Sequence, residues 1–145
     1  MRLSLQTDFA LRTLIYLATT PGRATIAGVA GFYGISAAHV AKAVQQLARR
    51  GYIRSIRGIG GGIELARRPE DIALGSVILD FEGNLHLLEC VAADGVCVIE
   101  SFCKLKRVLA EAERVQLEYL SGVTLRDVLP THGQWRRVES RPQPA

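Results

Sequence analysis

The sequence predicts a mainly α-helical fold with one small β-hairpin, and two observations support this prediction. Apolar residues recur at the helical spacing of three to four in separate segments, most clearly at 5–18, 36–50 and 104–121. In contrast, 52–66 has the composition of two short strands around a glycine-rich tip. The chain has 145 residues, enough for one compact domain or for one small domain with an appendage. No apolar run reaches the roughly 20 residues that are needed to cross a bilayer, so we expect no membrane association.

The first helix is predicted over 5–18 and is ended by Pro21-Gly22. Asp8 and Arg12 interrupt its apolar run, which distinguishes the segment from a secretion signal. The two charges lie four residues apart, a helical spacing at which an acid and a base can form an ion pair. An amphipathic helix with one such pair is the structural interpretation of this segment.

Two further helices are predicted, with a tight turn between them. Thr25 is placed to cap a short helix that runs to about Phe32, and Ser36 is placed to cap a second one that Gly51 ends. Gly34 supplies the turn, where a positive φ is often needed. Capped helices joined by a glycine turn are typical of a helix-turn-helix, although a general pair of antiparallel helices has similar spacing.

The second helix of this pair has an apolar stripe and a polar face. Val40, Val44 and Leu47 form the stripe that we expect to be buried. Small residues at the N-terminal end would permit a close approach to a DNA groove, and the polar residues behind them could contact phosphates or base edges. The candidate DNA contacts on this helix are Ser36, Ala37, Ala38, His39 and Lys42.

The hairpin predicted over 52–66 follows the helix-turn-helix directly, which is the position of a wing. Arg57 lies at its glycine-rich tip and is a further candidate DNA contact, because arginine is attracted to narrow minor grooves. A plain hairpin turn is the alternative. The glycines do not form a nucleotide-binding loop, since the Lys-Ser/Thr pair of that motif is missing.

The charge is divided unevenly along the chain. Residues 1–68 carry ten Lys and Arg against two acidic residues, a net charge of +8, whereas 69–145 carry eight against twelve, a net charge of −4. Clustered basic residues neutralise phosphates and release counterions, which favours nucleic-acid binding by the first half. A solvated basic face without a partner is the alternative.

Cys90, Cys97 and Cys103 lie within 14 residues of one another, and the chain has no other cysteine. An odd number so close together does not suggest a disulfide framework, and the C-x2–4-C pairs of zinc sites are absent. Three thiolates in one loop suit an iron–sulfur cluster that takes its fourth ligand from elsewhere, while three buried, unreactive thiols are the alternative. A thiol or metal enzyme is disfavoured, because no C-x-x-C motif or recognisable Cys–His pair is present.

A long helix is predicted over 104–121, with apolar residues alternately three and four positions apart. In so small a protein such a seam more often packs against a second subunit than against its own chain, so we expect a homodimer. Thr124 is placed to cap a last turn over 125–129, and 130–145 is predicted to be a disordered tail. The seam consists of Leu105, Val108, Ala112, Val115 and Tyr119.

Taken in order, these motifs resemble the bacterial family of dimeric winged-helix iron–sulfur regulators. The resemblance covers 1–129 and lies in 6–12, 33–42, 57–66, 90–106 and 119–129. It implies a winged helix-turn-helix DNA-binding domain over 1–82, a cluster-binding cysteine loop over 83–103, and a long dimerisation helix with a closing segment over 104–129. It also implies a cytoplasmic homodimer that represses transcription at a pseudo-palindromic operator and has no enzymatic activity.

Two positions indicate the nitric-oxide-sensing branch of that family. The branch that controls cluster assembly takes its fourth ligand from a His three positions after the last cysteine, where this chain has Lys106. The nitric-oxide-sensing branch takes it from an Asp on the first helix, across the dimer, and Asp8 matches that position. The resemblance therefore implies a [4Fe-4S] cluster, with [2Fe-2S] as the alternative. Its implied ligands are Cys90, Cys97 and Cys103 with Asp8 of the partner subunit, and nitric oxide is the implied signal.

Some departures from the family pattern keep other interpretations open. Six residues separate the first two cysteines, a wider spacing than is common in the family. Ile59 and Glu64 stand where its wings often carry basic or polar residues, which would weaken the grip of the wing on DNA. The alternatives are an iron- or cluster-status-responsive regulator of the same family and a cluster-free winged-helix DNA-binding protein.

Overall fold

The computed structural model describes residues 2–139, which form seven α-helices and one two-stranded sheet. The helices are α1 (Leu5–Thr19), α2 (Ile26–Tyr33), α3 (Ala37–Arg49), α4 (Leu74–Glu82), α5 (Glu89–Ala92), α6 (Lys104–Ser121) and α7 (His132–Glu139). The strands are β1 (Ile53–Ile56) and β2 (Gly62–Leu65), and short 3-10 turns cover Pro69–Asp71, Glu100–Phe102 and Leu125–Val128. The predicted mainly α fold with a small β wing is confirmed.

The helix-turn-helix forms as its capping residues predict, with one exception. The Thr25 hydroxyl accepts a hydrogen bond from the Gly28 amide at 2.9 Å, and this begins α2. Gly34 has φ 63° and ψ 39°, a left-handed conformation that costs glycine little, so the chain turns sharply into α3. Ser36 occupies the N-cap position of α3, but its side chain makes no capping hydrogen bond, so that part of the prediction is wrong.

The core lies between the first three helices and the sheet. Leu14 of α1 and Val29 of α2 are fully buried there. From α3, Val40 and Leu47 are fully buried and Val44 nearly so, as the apolar stripe predicts. Each side chain of this size contributes about 1.5–3 kcal/mol by leaving water, so this cluster is the main stabilising element of the domain.

The two strands form an antiparallel hairpin in which Ile53 lies opposite Leu65. Ala24, in the connection between α1 and α2, forms a further antiparallel bridge with Ile63. The hairpin is therefore held along one edge by the chain that precedes α2. Local periodicity predicts the two strands of the hairpin, but it does not predict that the segment around Ala24 pairs with them.

The apolar residues Val77, Ile78, Leu79 and Phe81, which follow Pro69-Glu70-Asp71, predict one short helix over 69–82. The structure instead divides that segment. Ile72 is extended (φ −110°, ψ 97°) and fully buried between the 3-10 turn and α4. Its carbonyl oxygen accepts a hydrogen bond from the Leu125 amide at 2.8 Å, and Ala73 forms a bridge with Thr124. The segment after α6 thus pairs with the backbone at this point, so a continuous helix does not form.

The predicted disorder of 130–145 is wrong for the part that the structure describes. Residues His132–Glu139 form α7, and Trp135 on it is only 7% exposed. Its ring stacks on Phe32 of α2, with centroids 4.6 Å apart, and meets Tyr16 of α1 edge to face at 5.9 Å. These contacts stabilise a helix that is too polar to be recognised from its own sequence. Residues 140–145 lie outside the described residues.

No helix within residues 2–139 is both long enough and apolar enough to span a membrane.

Candidate nucleic-acid interface and cysteine loop

The predicted DNA-contacting residues lie at the start of α3 and at the wing tip. All of them are exposed to solvent, in contrast to the buried apolar stripe on the opposite side of α3. An α-helix presented in this way can enter a major groove, with the hairpin beside it. The exposed candidates are Ser36, Ala37, Ala38, His39, Lys42 and Arg57.

Apart from Arg2, the basic residues of the first half divide into two groups. The first group pairs with acids or with backbone carbonyls inside the fold and comprises Arg12, Arg23, Arg50, Arg54, Arg67 and Arg68. By contrast, Lys42, Arg49 and Arg57 are exposed and form no ion pair within residues 2–139. Lys42 and Arg49 are two helical turns apart on α3 and so lie on one side of it. Their charges are free to meet phosphates.

The N-terminal end of α3 is in direct contact with α1. The ring of His39 stacks on Phe9, with centroids 5.8 Å apart and an interplanar angle of 27°. Phe9 is buried, so the imidazole rests on a fixed surface while remaining exposed on its other face. A displacement of α1 would therefore move a candidate DNA-contacting side chain.

The C-terminal end of α3 is held by Asp80 of α4, a residue that no local sequence pattern distinguishes. Its carboxylate accepts a hydrogen bond from the Tyr52 hydroxyl at 2.7 Å and pairs with Arg50 at 3.2 Å. Its backbone carbonyl oxygen accepts a hydrogen bond from the side-chain Nε2 of Gln46 at 3.0 Å. Burial, with the bond to Asp80, raises the pKa of Tyr52 to about 12. The three contacts hold α3 and the start of the wing against α4.

Asp8, the candidate cluster ligand on α1, forms the ion pair that its spacing predicts. Its carboxylate meets the Arg12 guanidinium at 2.9 Å, and both side chains are about 40% exposed (39% and 41%). The Arg12 guanidinium also lies over the Tyr33 ring, 5.6 Å from its centroid. Asp8 is thus accessible from outside the protomer while it is held on a structured helix.

Glu82, at the end of α4, fixes the start of α1 next to Asp8. Its carboxylate accepts hydrogen bonds from the Ser4 amide at 2.8 Å and from the Thr7 hydroxyl. Burial raises the pKa of Glu82, but these hydrogen bonds outweigh it and hold the pKa below its usual value. The first turn of α1 and the segment that leads from α4 into the cysteine loop therefore share one carboxylate.

The three cysteines are free and do not converge within one protomer. Cys90 on α5 and Cys103 are half-buried, and Cys97 is exposed. Cys103 is the N-cap of α6, and its sulfur accepts a hydrogen bond from the Lys106 amide at 3.4 Å. Within residues 2–139, no three His, Cys, Asp or Glu side chains are grouped closely enough to hold a metal ion. Three thiols are suitable ligands for a soft metal centre, but one protomer alone does not bring the three together at one site.

Lys106 organises the cysteine loop through ion pairs. Its amine meets the Glu100 carboxylate at 2.5 Å and the Asp94 carboxylate at 3.0 Å. These bonds, first the one to Glu100 and then the one to Asp94, raise the pKa of Lys106. The amine stays protonated and is not available as a metal ligand.

Glu113 of α6 anchors the segment that enters the loop. Its carboxylate accepts a hydrogen bond from the Leu87 amide at 2.6 Å and meets the His86 ring at 2.9 Å. Burial raises the pKa of Glu113, and the bonds from Leu87 and His86 outweigh this and lower it. The cysteine loop is therefore tied at both ends to α6.

The apolar seam predicted on α6 is not covered by any part of its own protomer that the structure describes. Leu105, Val108, Val115 and Tyr119 are between 51% and 73% exposed, and Ala112 is exposed as well. A row of large apolar side chains on an 18-residue helix that is left in water marks an interaction surface.

A helix-turn-helix followed by a two-stranded wing, with unpaired basic side chains on the recognition face, defines a class of DNA-binding transcriptional regulators. The chain belongs to the Rrf2 family: residues 3–131 match the profile described as "Iron-dependent Transcriptional regulator". The protein is therefore a regulator and not an enzyme.

Several relatives and solved structures are similar over most of the chain. The HTH-type transcriptional regulator NsrR of Geobacillus kaustophilus is 40% identical over 141 residues, 95% of this chain and 96% of that protein. The NsrR regulator of Bacillus subtilis is 42% identical over 132 residues, which are 89% of this chain and 90% of that protein.

Among solved structures, T. potens IscR has a TM-score of 0.71 at 23% identity, covering 99% of this chain and 94% of its own. CymR of B. subtilis has a TM-score of 0.68 at 24% identity, covering 88% and 95%. These structures support the winged-helix fold.

Proposed function

We propose that the protein is a homodimeric transcriptional repressor that senses nitric oxide through an iron–sulfur cluster and then releases operator DNA. The observation that carries the proposal is the position of the only three cysteines. They are unpaired thiols in the one segment that joins the DNA-binding half to the exposed seam of α6. Identity of about 40% to regulators named NsrR supports the same function.

In this proposal Cys90, Cys97 and Cys103 hold the cluster together with Asp8 of the partner subunit. The cluster is [4Fe-4S], with [2Fe-2S] as the alternative, and it supplies iron that reacts with nitric oxide. The exposure of Asp8 and its weak surface ion pair with Arg12 allow its carboxylate to exchange partners at low cost. A carboxylate binds soft iron less strongly than a thiolate, so this ligand is the weakest of the four.

The proposed dimer forms through α6. Its exposed seam has the spacing of a coiled coil, and a two-fold partner would cover the same residues on both helices. Two recognition helices related in this way fit half-sites about one helical turn of DNA apart. Affinity then depends on a fixed separation between the two DNA-binding halves.

Contacts within the protomer can carry a change at Asp8 to the recognition helix. Asp8 precedes Phe9, which stacks on His39 at the start of α3. Glu82 restrains the same turn of α1 and lies at the end of α4, where the chain enters the cysteine loop. A subunit whose loop holds the partner subunit's Asp8 would thus restrain the partner's DNA-binding half.

The test uses the full chain purified without oxygen. Iron and sulfide are measured per protomer, together with absorption and with binding to a duplex that the protein itself selects from a random-sequence library. We expect a brown dimer that binds the duplex and loses both colour and affinity on exposure to nitric oxide. A colourless protein that takes up no iron or sulfide on reconstitution, yet binds the same duplex, would overturn the sensing mechanism.

The role of Asp8 is tested with Asp8→Ala. We expect the dimer and the fold to persist while the cluster becomes less stable and the nitric-oxide response changes. Asp71→Ala is the matched control, because Asp71 also pairs with an arginine on the surface and lies, like Asp8, within the predicted DNA-binding domain 1–82. An Asp8 variant that responds like the control and like the unmodified protein would remove Asp8 from the mechanism.

A second candidate function is an iron-responsive regulator. The description of the family profile as iron-dependent favours it. The same preparation separates the two functions: DNA affinity that follows iron supply and is unchanged by nitric oxide supports the second.

A further inference from the structure

We propose that Arg23 is a positioning residue for DNA binding, which holds the wing tip in place so that Arg57 is presented to the duplex. This inference rests on the proposed contact between the wing and DNA. Arg23 belongs neither to the helix-turn-helix nor to the hairpin, since it lies in the connection between α1 and α2. Its guanidinium nevertheless donates a hydrogen bond to the carbonyl oxygen of Gly60 at the tip, at 2.8 Å.

The backbone around Arg23 is fixed to the wing. The Ala24 amide donates to the Ile63 carbonyl at 3.0 Å, and the Ile63 amide donates to the Ala24 carbonyl at 2.8 Å. Gly62 permits this approach, because a Cβ there would lie 2.6 Å from the Ala24 carbonyl oxygen. Arg23 therefore starts from a strand-like position beside β2, and its side chain reaches along the hairpin to the tip.

Glu64 orients the guanidinium of Arg23. Its carboxylate meets Arg23 at 3.1 Å and, through its other oxygen, Arg54 of β1 at 2.6 Å. The two arginines thus share one acid, but only Arg23 has a hydrogen bond to the tip. This gives the acidic residue Glu64 a role in a wing that we propose to bind DNA. Its carboxylate orients the Arg23 guanidinium toward the Gly60 carbonyl, and we call this contact between Arg23 and the wing tip the brace.

The tip has few other restraints. Gly58 and Gly60 have positive φ, and Ile59 between them is fully exposed. The other hydrogen bond that spans this turn runs from the Gly61 amide to the Gly58 carbonyl at 3.0 Å. Glycine-rich segments have many accessible conformations, so a tip without Arg23 would spend more time away from the geometry that presents Arg57.

The experiment compares Arg23→Gln with Arg54→Gln in the full-length protein. Both changes remove one positive charge and one contact with Glu64, but only the first removes the bond to Gly60. Binding to the duplex selected by the unmodified protein is measured from 50 to 200 mM salt. We expect Arg23→Gln to bind about three- to tenfold more weakly than Arg54→Gln, the effect of one hydrogen bond.

Two further measurements separate positioning from direct contact. Amide hydrogen exchange at 58–60 in the free protein should be faster in Arg23→Gln than in Arg54→Gln. Arg57→Ala should weaken binding and flatten the salt dependence by roughly one phosphate contact. Adding Arg23→Gln to Arg57→Ala should then cost little more, since the brace acts through Arg57.

The outcomes are distinct. If Arg57→Ala binds as tightly as the unmodified protein, the proposed wing contact fails. If Arg57→Ala weakens binding but Arg23→Gln behaves like Arg54→Gln, the brace is overturned. If the effects of Arg23→Gln and Arg57→Ala simply add, Arg23 contacts DNA itself and is not a positioning residue.

Discussion

The DNA-binding half, residues 2–65, and the segment from α5 through α6 differ in how far one protomer buries their apolar side chains and pairs their charges. The first has a closed core of side chains such as Leu14 and Leu47, and its acids and most of its arginines are paired. Within the second, neither α5 nor α6 has a buried residue, and the apolar seam is in water. The first buries its apolar residues within the chain's own core, whereas the second leaves an apolar face exposed.

The difference has a physical cause. A helix is stabilised in a protein mainly by burying one apolar face, since its intrinsic propensity is small. α3 buries that face within its own protomer. α6 has an equally regular face, from Leu105 to Tyr119, that its own protomer leaves open. The comparison predicts that mutations in the two regions will act on different equilibria.

The largest expected effect is in the DNA-binding half. Leu47→Ala should lower the free energy of unfolding by about 2–5 kcal/mol, because it leaves a cavity at a fully buried position. Urea denaturation of the isolated protein measures this loss. An effect below about 1 kcal/mol would mean that the core is not as closed as the structure indicates.

Val108→Glu should instead separate the subunits. A charge placed on the seam would be buried without a partner in the dimer, which costs several kcal/mol. We expect monomers in analytical ultracentrifugation and unchanged helical circular dichroism. Arg107→Glu is the control, since it introduces the same residue at an exposed position beside the seam. Dimers of both variants would contradict the proposed interface.

Phe32→Ala tests whether α7 belongs to the DNA-binding half. The lost stacking alone should cost about 0.5–1.5 kcal/mol, in addition to the apolar area that the ring no longer buries, and should release α7 from α1 and α2. Trp135 is the only tryptophan, so its fluorescence should shift to longer wavelength and become more accessible to acrylamide. An unchanged spectrum would show that α7 is held by other contacts.

The smallest effect is an alkaline loss of stability. Burial raises the pKa of Tyr52 from 10.0 to about 12, and burial likewise raises that of Tyr33 to about 12. The pKa of each tyrosine is higher in the folded than in the unfolded chain. Its contribution to the free energy of unfolding is therefore fully present below pH 10 and is lost as the pH rises to 12. Tyr52→Phe should reduce this loss between pH 10 and 12, measured by thermal unfolding at each pH. An unchanged pH profile would mean that the hydroxyl of Tyr52 does not resist ionisation.

Local patterns predicted most of the DNA-binding half. The spacing of Val40, Val44 and Leu47, the turn at Gly34 and the glycines of the wing each depend on neighbouring residues, and the structure contains all of these features. The same short-range patterns predict that the candidate DNA contacts lie on an exposed face, as they do in the structure. Their roles, and those of Asp8 and the cysteines, stay predictions.

Contacts between distant segments were not predictable in this way. The sequence around Asp80 does not distinguish it from the other acidic residues. Its role follows only from its contacts with Tyr52, Arg50 and Gln46. Trp135 falls in a polar segment after Pro130, where composition indicates disorder, and only the ring of Phe32 provides the surface on which its helix forms.

The sequence by itself determined the helices, the turn, the hairpin and the division between a basic and an acidic half, because periodicity, caps and charge act over short stretches of chain. The tertiary structure decided which charged side chains pair within the fold and which stay exposed to solvent. It paired Arg23 with the wing tip, left Lys42 and Arg57 in solvent, and kept the three thiols apart within one protomer. The physical reason is that pairing depends on which remote segments meet, and the packing of the whole core determines that.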